Sequence, residues 1–131
     1  MFDTIQENVY PYLTHMKPVV WIGSSREDLR KMPQSVRRNI GQALYAAQQG
    51  ETDPAAKPLK GFGGTRVMEI VERHRSGAYR AVYIAHFAEA IYVLHVFHKK
   101  SKRGIATPKS DIDLIRMRFA EAERFHKERQ Y

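Results

Sequence analysis

The chain contains no cysteine. That excludes a disulfide framework and any metal site built on thiolates, and it fits the reducing cytoplasm. No apolar run approaches the roughly 20 residues that a membrane-spanning helix needs. The start, MFDTIQENVY, lacks the basic residues and apolar stretch of a secretory signal. A Walker loop is missing too. The glycines of GFGG (61–64) lead into strand-like sequence rather than a helix, so they read as a loop. The six histidines include no i, i+4 pair on a helix. His95 and His98 sit three apart on a strand and point to opposite faces. No metal site and no cofactor are expected. No serine or threonine has the surroundings of an activated nucleophile.

What the chain does have is positive charge. Lysine and arginine number 22 against 14 acidic residues, a net charge of +8 over 131 residues. Such a surface attracts polyanions by steering and counterion release, whether nucleic acid, an acidic protein or anionic lipid. The length suits one domain with one core. Residues 1–16 show no clear period and read as an N-terminal extension, an arm or a short accessory helix. Residues 17–131 read as the folded domain, and Met16 is a plausible alternative start.

Within the domain, VVWIG (19–23) is β-branched and aromatic, a first strand. Ser24 and Glu27 have capping-box spacing for a short helix, and Pro33 suits the first turn of a second. Val36, Ile40, Leu44 and Ala47 recur about once per turn and give that helix one apolar stripe. Gly50 is a natural stop. ETDPAAKPLKGFGG is rich in turn residues and reads as a loop. RVMEIVER, AYRAVYIAHF and AIYVLHVFH then read as three strands with short breaks, hence an antiparallel meander. Both faces of the last two are apolar, as in central strands, with helices expected over one side of the sheet. A final helix follows, capped by Thr107 with Pro108 in its first turn, and striped by Ile112, Ile115, Phe119 and Ala122. The fold class is α/β (α+β): strand, helical hairpin, three-stranded antiparallel meander, C-terminal helix.

The residues able to do chemistry are basic and aromatic and lie on the sheet. Arg80 is the sharpest, because a charge in the middle of a strand needs a partner or a wet groove. Glu69 or Glu72 on the neighbouring strand can pair with it. The other reading is a groove that cleaves RNA. If the ribose 2′-hydroxyl attacks the adjacent phosphate, the protein supplies cations for the growing negative charge, a base and an acid. Arginine grips two phosphate oxygens with its fork, crowded lysine or histidine suits proton transfer, and tyrosine stacks on an unpaired base.

The segments KPVVWIGSSREDLRKMPQSVRRNIGQAL, KPLKGFGGTRVMEIVE, YRAVYIAHFAEAIYVLHVFHKKS and TPKSDIDLIRMR together resemble the phage-derived Gp49-like/HigB branch of the RelE/ParE toxin superfamily. The resemblance runs from about Lys17 to Arg118. It implies a small RelE-like fold and the toxin of a type II toxin–antitoxin pair, a ribosome-dependent mRNA endoribonuclease that inhibits translation without a metal. It places Arg80 at a phosphate-binding position and Lys100, or Lys99 one residue away, at a basic position after the last strand. Arg73 and His98 complete the implied catalytic set. Lys60, Arg66, Tyr79, Tyr83, Lys99 and Lys102 are implied RNA contacts. The aromatic residue that stacks on the substrate base in the best-known branch has no counterpart in SKRGIATPKS, and Tyr79 is one substitute. The implied partners are a helix-turn-helix antitoxin, the ribosome and mRNA, with DNA reached only through the antitoxin complex and no membrane. Two alternatives share the fold: a gyrase-directed toxin without nuclease activity, and a phage accessory protein that binds DNA or another protein.

Overall fold

The computed structural model describes residues 16–64, 66–99 and 107–129, and the backbone of 5–8. The elements are β1 (Ile5–Asn8), β2 (Val19–Ile22), α1 (Ser25–Arg30), α2 (Gln34–Gln48), β3 (Ala56–Pro58), β4 (Val67–His74), β5 (Gly77–Ile84), β6 (Ile91–Lys99) and α3 (Lys109–Glu128). They build one six-stranded sheet in the order β1-β2-β6-β5-β4-β3. The expected α/β order is present, with the meander β4-β5-β6 antiparallel and β2 parallel to β6.

Two strands were not legible. Ile5–Asn8, in the segment read as an arm or accessory helix, pairs antiparallel with β2. Ala56–Pro58, inside the stretch read as loop, pairs with Met68–Ile70 of β4. β3 is three residues long and ends in proline, which an edge strand tolerates because its outer amides need no ladder partner.

Helices cover both faces of the sheet rather than one. Alternation along β2 sends Val19 and Trp21 to one side and Val20 and Ile22 to the other. The first pair joins Val36, Ile40, Leu44 and Ala47 of α2 in one core, with Leu29 of α1 packed beside it. The second pair joins Ile115, Ala122 and Phe125 of α3 in the other. This double cover explains why β5 and β6 are apolar on both sides.

Helix ends differ in detail from the expected caps. Ser24 is the N-cap of α1, but its hydroxyl donates to Asp28 Oδ2 at 2.7 Å instead of accepting from the backbone. Pro33 and Pro108 are themselves the N-cap residues of α2 and α3. Thr107 therefore does not cap α3; its hydroxyl reaches Glu69, as described below. Gly50 follows α2 with φ +81, the left-handed conformation that ends a helix most easily when the residue is glycine.

β6 carries one bulge. Val82 pairs with His95 and Tyr83 with Val93, which leaves Leu94 unpaired. Its carbonyl accepts a hydrogen bond from Arg118 Nη1 of α3 at 2.9 Å, so the interrupted ladder loses no acceptor.

Candidate functional site

The register of β4, β5 and β6 decides which polar side chains meet. Glu69 pairs with Val82 and Val82 with His95, while Arg80 pairs with Val71 and Phe97. Residues two apart on a strand share a face. Glu69, Arg80 and His95 therefore all lie on the side covered by α3. Arg73 and Lys99 pair with Ala78 in the next row of that same face. Tyr79 and His98 pair with each other on the opposite face. The geometry thus separates Arg80 from His98.

Arg80 is almost wholly enclosed. Its Nη1 lies 3.0 Å from Glu69 Oε1, with the two side chains 4% and 3% exposed. The charges attract at this distance, but the angles are poor: neither Nη1 nor Nε of Arg80 makes a hydrogen bond to a described group. Thr107 Oγ1 donates to the other carboxylate oxygen, Glu69 Oε2, at 3.0 Å. Parity selected the partner. Glu72 lies on the α2 face, where it accepts from Asn39 Nδ2 at 2.6 Å.

Glu69 is also part of the wall of a hollow of about 310 Å³, with Lys57, Lys60, Thr107 and Ile112 around it. Both lysines are exposed. A buried ion pair thus sits behind an open hollow with a cationic rim. Such an arrangement can hold an anion at the rim through Lys57 and Lys60, and through Arg80 once Glu69 moves.

A second polar pair lies beside the first. His95 Nε2 donates to Asp111 Oδ1, in the first turn of α3, at 2.7 Å. Burial draws His95 below the ordinary imidazole pKa, and the Asp111 carboxylate only partly opposes it. The short contact is therefore a neutral N–H donating to a carboxylate rather than a charged pair. The proton then sits on Nε2. Nδ1 is a buried lone-pair acceptor without a partner among the described residues. The ring stacks on Phe97 with centroids 4.6 Å apart.

The same burial links stability to pH. His95 and His86 are both lowered in the folded state, chiefly by desolvation. As pH falls below about 6.5 the unfolded chain takes up these protons first, and stability falls with it. Melting temperature is expected to drop between pH 7.5 and 5.5, and less steeply in a His95→Gln variant.

The remaining predicted residues are scattered. Lys60 stands at the hollow and Arg73 is exposed on the same face. Lys99 is buried at the strand end. Arg66 is drawn aside by Glu123 at 3.4 Å and lies over the Phe119 ring. Tyr79 stacks on His98 with centroids 4.1 Å apart, and its hydroxyl is 2.9 Å from Ser76 Oγ. His98 Nε2 donates to the Ser76 carbonyl at 2.7 Å. Tyr83 is buried under α2, where desolvation pushes its phenol up to about 12. Lys100 and Lys102 lie outside the described residues. Sequence reasoning missed Lys57 and Thr107 as neighbours of Glu69 and Asp111 as the partner of His95, and gave His95 no part beyond a rejected metal pair. The one available signal was a histidine inside the apolar run IYVLHVF.

A small sheet with helices on both sides, an arginine in its middle strand and cations at one end make a small α+β fold. The chain belongs to the family described as phage derived protein Gp49-like, whose model matches residues 27–120. That family is associated with toxin–antitoxin pairs and is consistent with the RelE/ParE superfamily. No curated protein and no solved structure matches the chain. No helix among the described residues is long and apolar enough to cross a membrane.

Proposed function

We propose that this protein is the toxin of a type II toxin–antitoxin pair and that it cuts mRNA at the ribosome. The observation that carries the reading is Arg80, held in the central strand behind a hollow rimmed by Lys57 and Lys60, in a chain of the Gp49-like family. In the reaction, the ribose 2′ oxygen attacks the neighbouring phosphorus and the bond to the 5′ oxygen breaks. The products are a 2′,3′-cyclic phosphate and a 5′-hydroxyl. Arg80 meets the negative charge that grows on the phosphorus oxygens, and Lys57 and Lys60 guide the strand in. No metal or cofactor takes part in this scheme. The partner is a helix-turn-helix antitoxin in the cytoplasm, with an acidic segment that docks quickly on the +8 surface.

A second reading is supported by one specific contact. Glu69 neutralises Arg80 and shields it, which suits a relative on this fold that stops growth without cutting RNA, for instance by acting on gyrase. Induced expression in bacteria separates the two. The wild type is expected to arrest growth and leave mapped mRNA cuts. Arg80→Lys keeps the charge but loses the planar fork, and the double variant Lys57→Ala/Lys60→Ala changes exposed residues only. Both are expected to lose the cuts. Arrest without cuts, unchanged in these variants, favours the second reading.

A further inference from the structure

Resting on the ribonuclease reading above, we propose that His95 is the proton acceptor of the cleavage step and that Asp111 is its positioning residue. The first ground is placement. Glu69, Val82 and His95 form one row across β4, β5 and β6, and Arg80 lies diagonal to both Glu69 and His95 on the same face. Diagonal neighbours in a ladder stand about 7–8 Å apart. A phosphate gripped by Arg80 is thus one side chain away from His95.

The second ground is the state of the ring. Asp111 accepts from Nε2 at 2.7 Å and so fixes the tautomer. The free lone pair is then on Nδ1, an atom buried with no partner among the described residues. An unsatisfied buried acceptor is rare enough to call for a role. A base needs what this atom has: a lone pair that no described group occupies, a ring fixed from behind, and a neutral form at working pH. Burial supplies the last of these. The groups that face the ring from packed elements are Asp111 and Arg118 of α3 and Asp28 of α1.

The other candidates do worse. Both oxygens of Glu69 are engaged, one by Arg80 and one by Thr107. His98 lies across the sheet from Arg80, against Tyr79. In the balanced step the 2′-hydroxyl proton passes to His95 Nδ1 as the O2′–P bond forms. The P–O5′ bond then breaks, and the 5′ oxygen takes its proton from water. Glu69 swings off Arg80 as the phosphate arrives, since the anions compete for one guanidinium.

Two measurements on the full chain test this. The first is single-turnover cleavage of ribosome-bound mRNA across about pH 5–8. The wild-type rate is expected to rise with pH on the acid side and level off, with its knee below 6.5. His95→Gln is expected to lose about 10²-fold in rate and the acid limb with it. Asp111→Asn, which keeps the helix start polar, is expected to move the knee and slow the reaction about tenfold or more, as the wrong tautomer gains ground. His95→Gln cleaving within about twofold of the wild type at unchanged melting temperature overturns the proposal.

The second is ¹⁵N NMR of the wild-type imidazoles, which needs neither cleavage nor a variant. The expected signature is an Nε2-protonated His95 whose Nδ1 signal shifts on adding guanosine 3′-monophosphate. An Nδ1-protonated tautomer, or a signal that the nucleotide does not move, overturns the proposal. A wild type that cuts no RNA defeats the ribonuclease reading itself, and a nucleotide-dependent Nδ1 shift in that protein still supports His95 as a contact in the site.

Discussion

Replacing Arg80 by methionine is expected to lower the unfolding free energy by about 3–5 kcal/mol, read from urea denaturation. The reason is Glu69. It is 2% exposed, and without Arg80 it keeps, among the described residues, only the Thr107 hydroxyl as a hydrogen-bond donor. An ionised carboxylate with so little compensation is costly in that setting. The double variant Arg80→Met/Glu69→Leu removes both charges at once and is expected to recover most of the loss, since two apolar side chains suit a site bounded by Leu59 and Ile112. Thr107 then turns toward solvent, which its half-buried position allows. Recovery of stability without recovery of growth arrest is the pattern expected of a pair kept for function. A double variant no more stable than Arg80→Met contradicts this account of the pair.

The second large effect is expected at Ile115, which is fully buried where α3 meets Val20, Ile22, Tyr92 and Leu94. Ile115→Ala is expected to cost about 2–5 kcal/mol through lost transfer energy and the cavity left behind. Met117, on the same helix, is 60% exposed, and Met117→Ala is expected to stay within about 0.5 kcal/mol of the wild type. The contrast matters for the site as well as the fold. The start of α3 brings Asp111 to His95, and Thr107 just ahead of it reaches Glu69, so slackening at Ile115 is expected to appear as faster amide exchange around residues 109–113. Equal stability of the two variants runs against α3 being anchored by Ile115.

How much of this was legible in the sequence follows from what each feature depends on. The stripe of Val36, Ile40, Leu44 and Ala47 is set by helical periodicity alone, and all four are buried. The meander was legible because its breaks are short and its strands strongly β-branched. β3 was not, because three residues ending in proline carry no strand signal of their own and pair only because β4 offers an edge. The N-terminal strand likewise depends on β2 as a template. The facing of Arg80 and His98 needed the bulge at Leu94, a cross-strand event that local pattern does not encode. The choice of Glu69 over Glu72 was a matter of parity, readable once the hairpin register at Ser76–Gly77 is known. The His95–Asp111 contact joins two elements through tertiary packing, and neither residue announces it.

The placement of β6 has a consequence for the chain as it is being made. β6 is inserted between β2 and β5, so Val19 must wait for Ile91 before its ladder closes. A pairing over such a distance in sequence is slow to form and cannot begin until the later segment has emerged from the translating ribosome. His95 arrives with that last strand, and Asp111 and Thr107 arrive after it. A nascent polypeptide therefore displays no finished constellation around Arg80 until the segment from Ile91 to Asp111 has emerged.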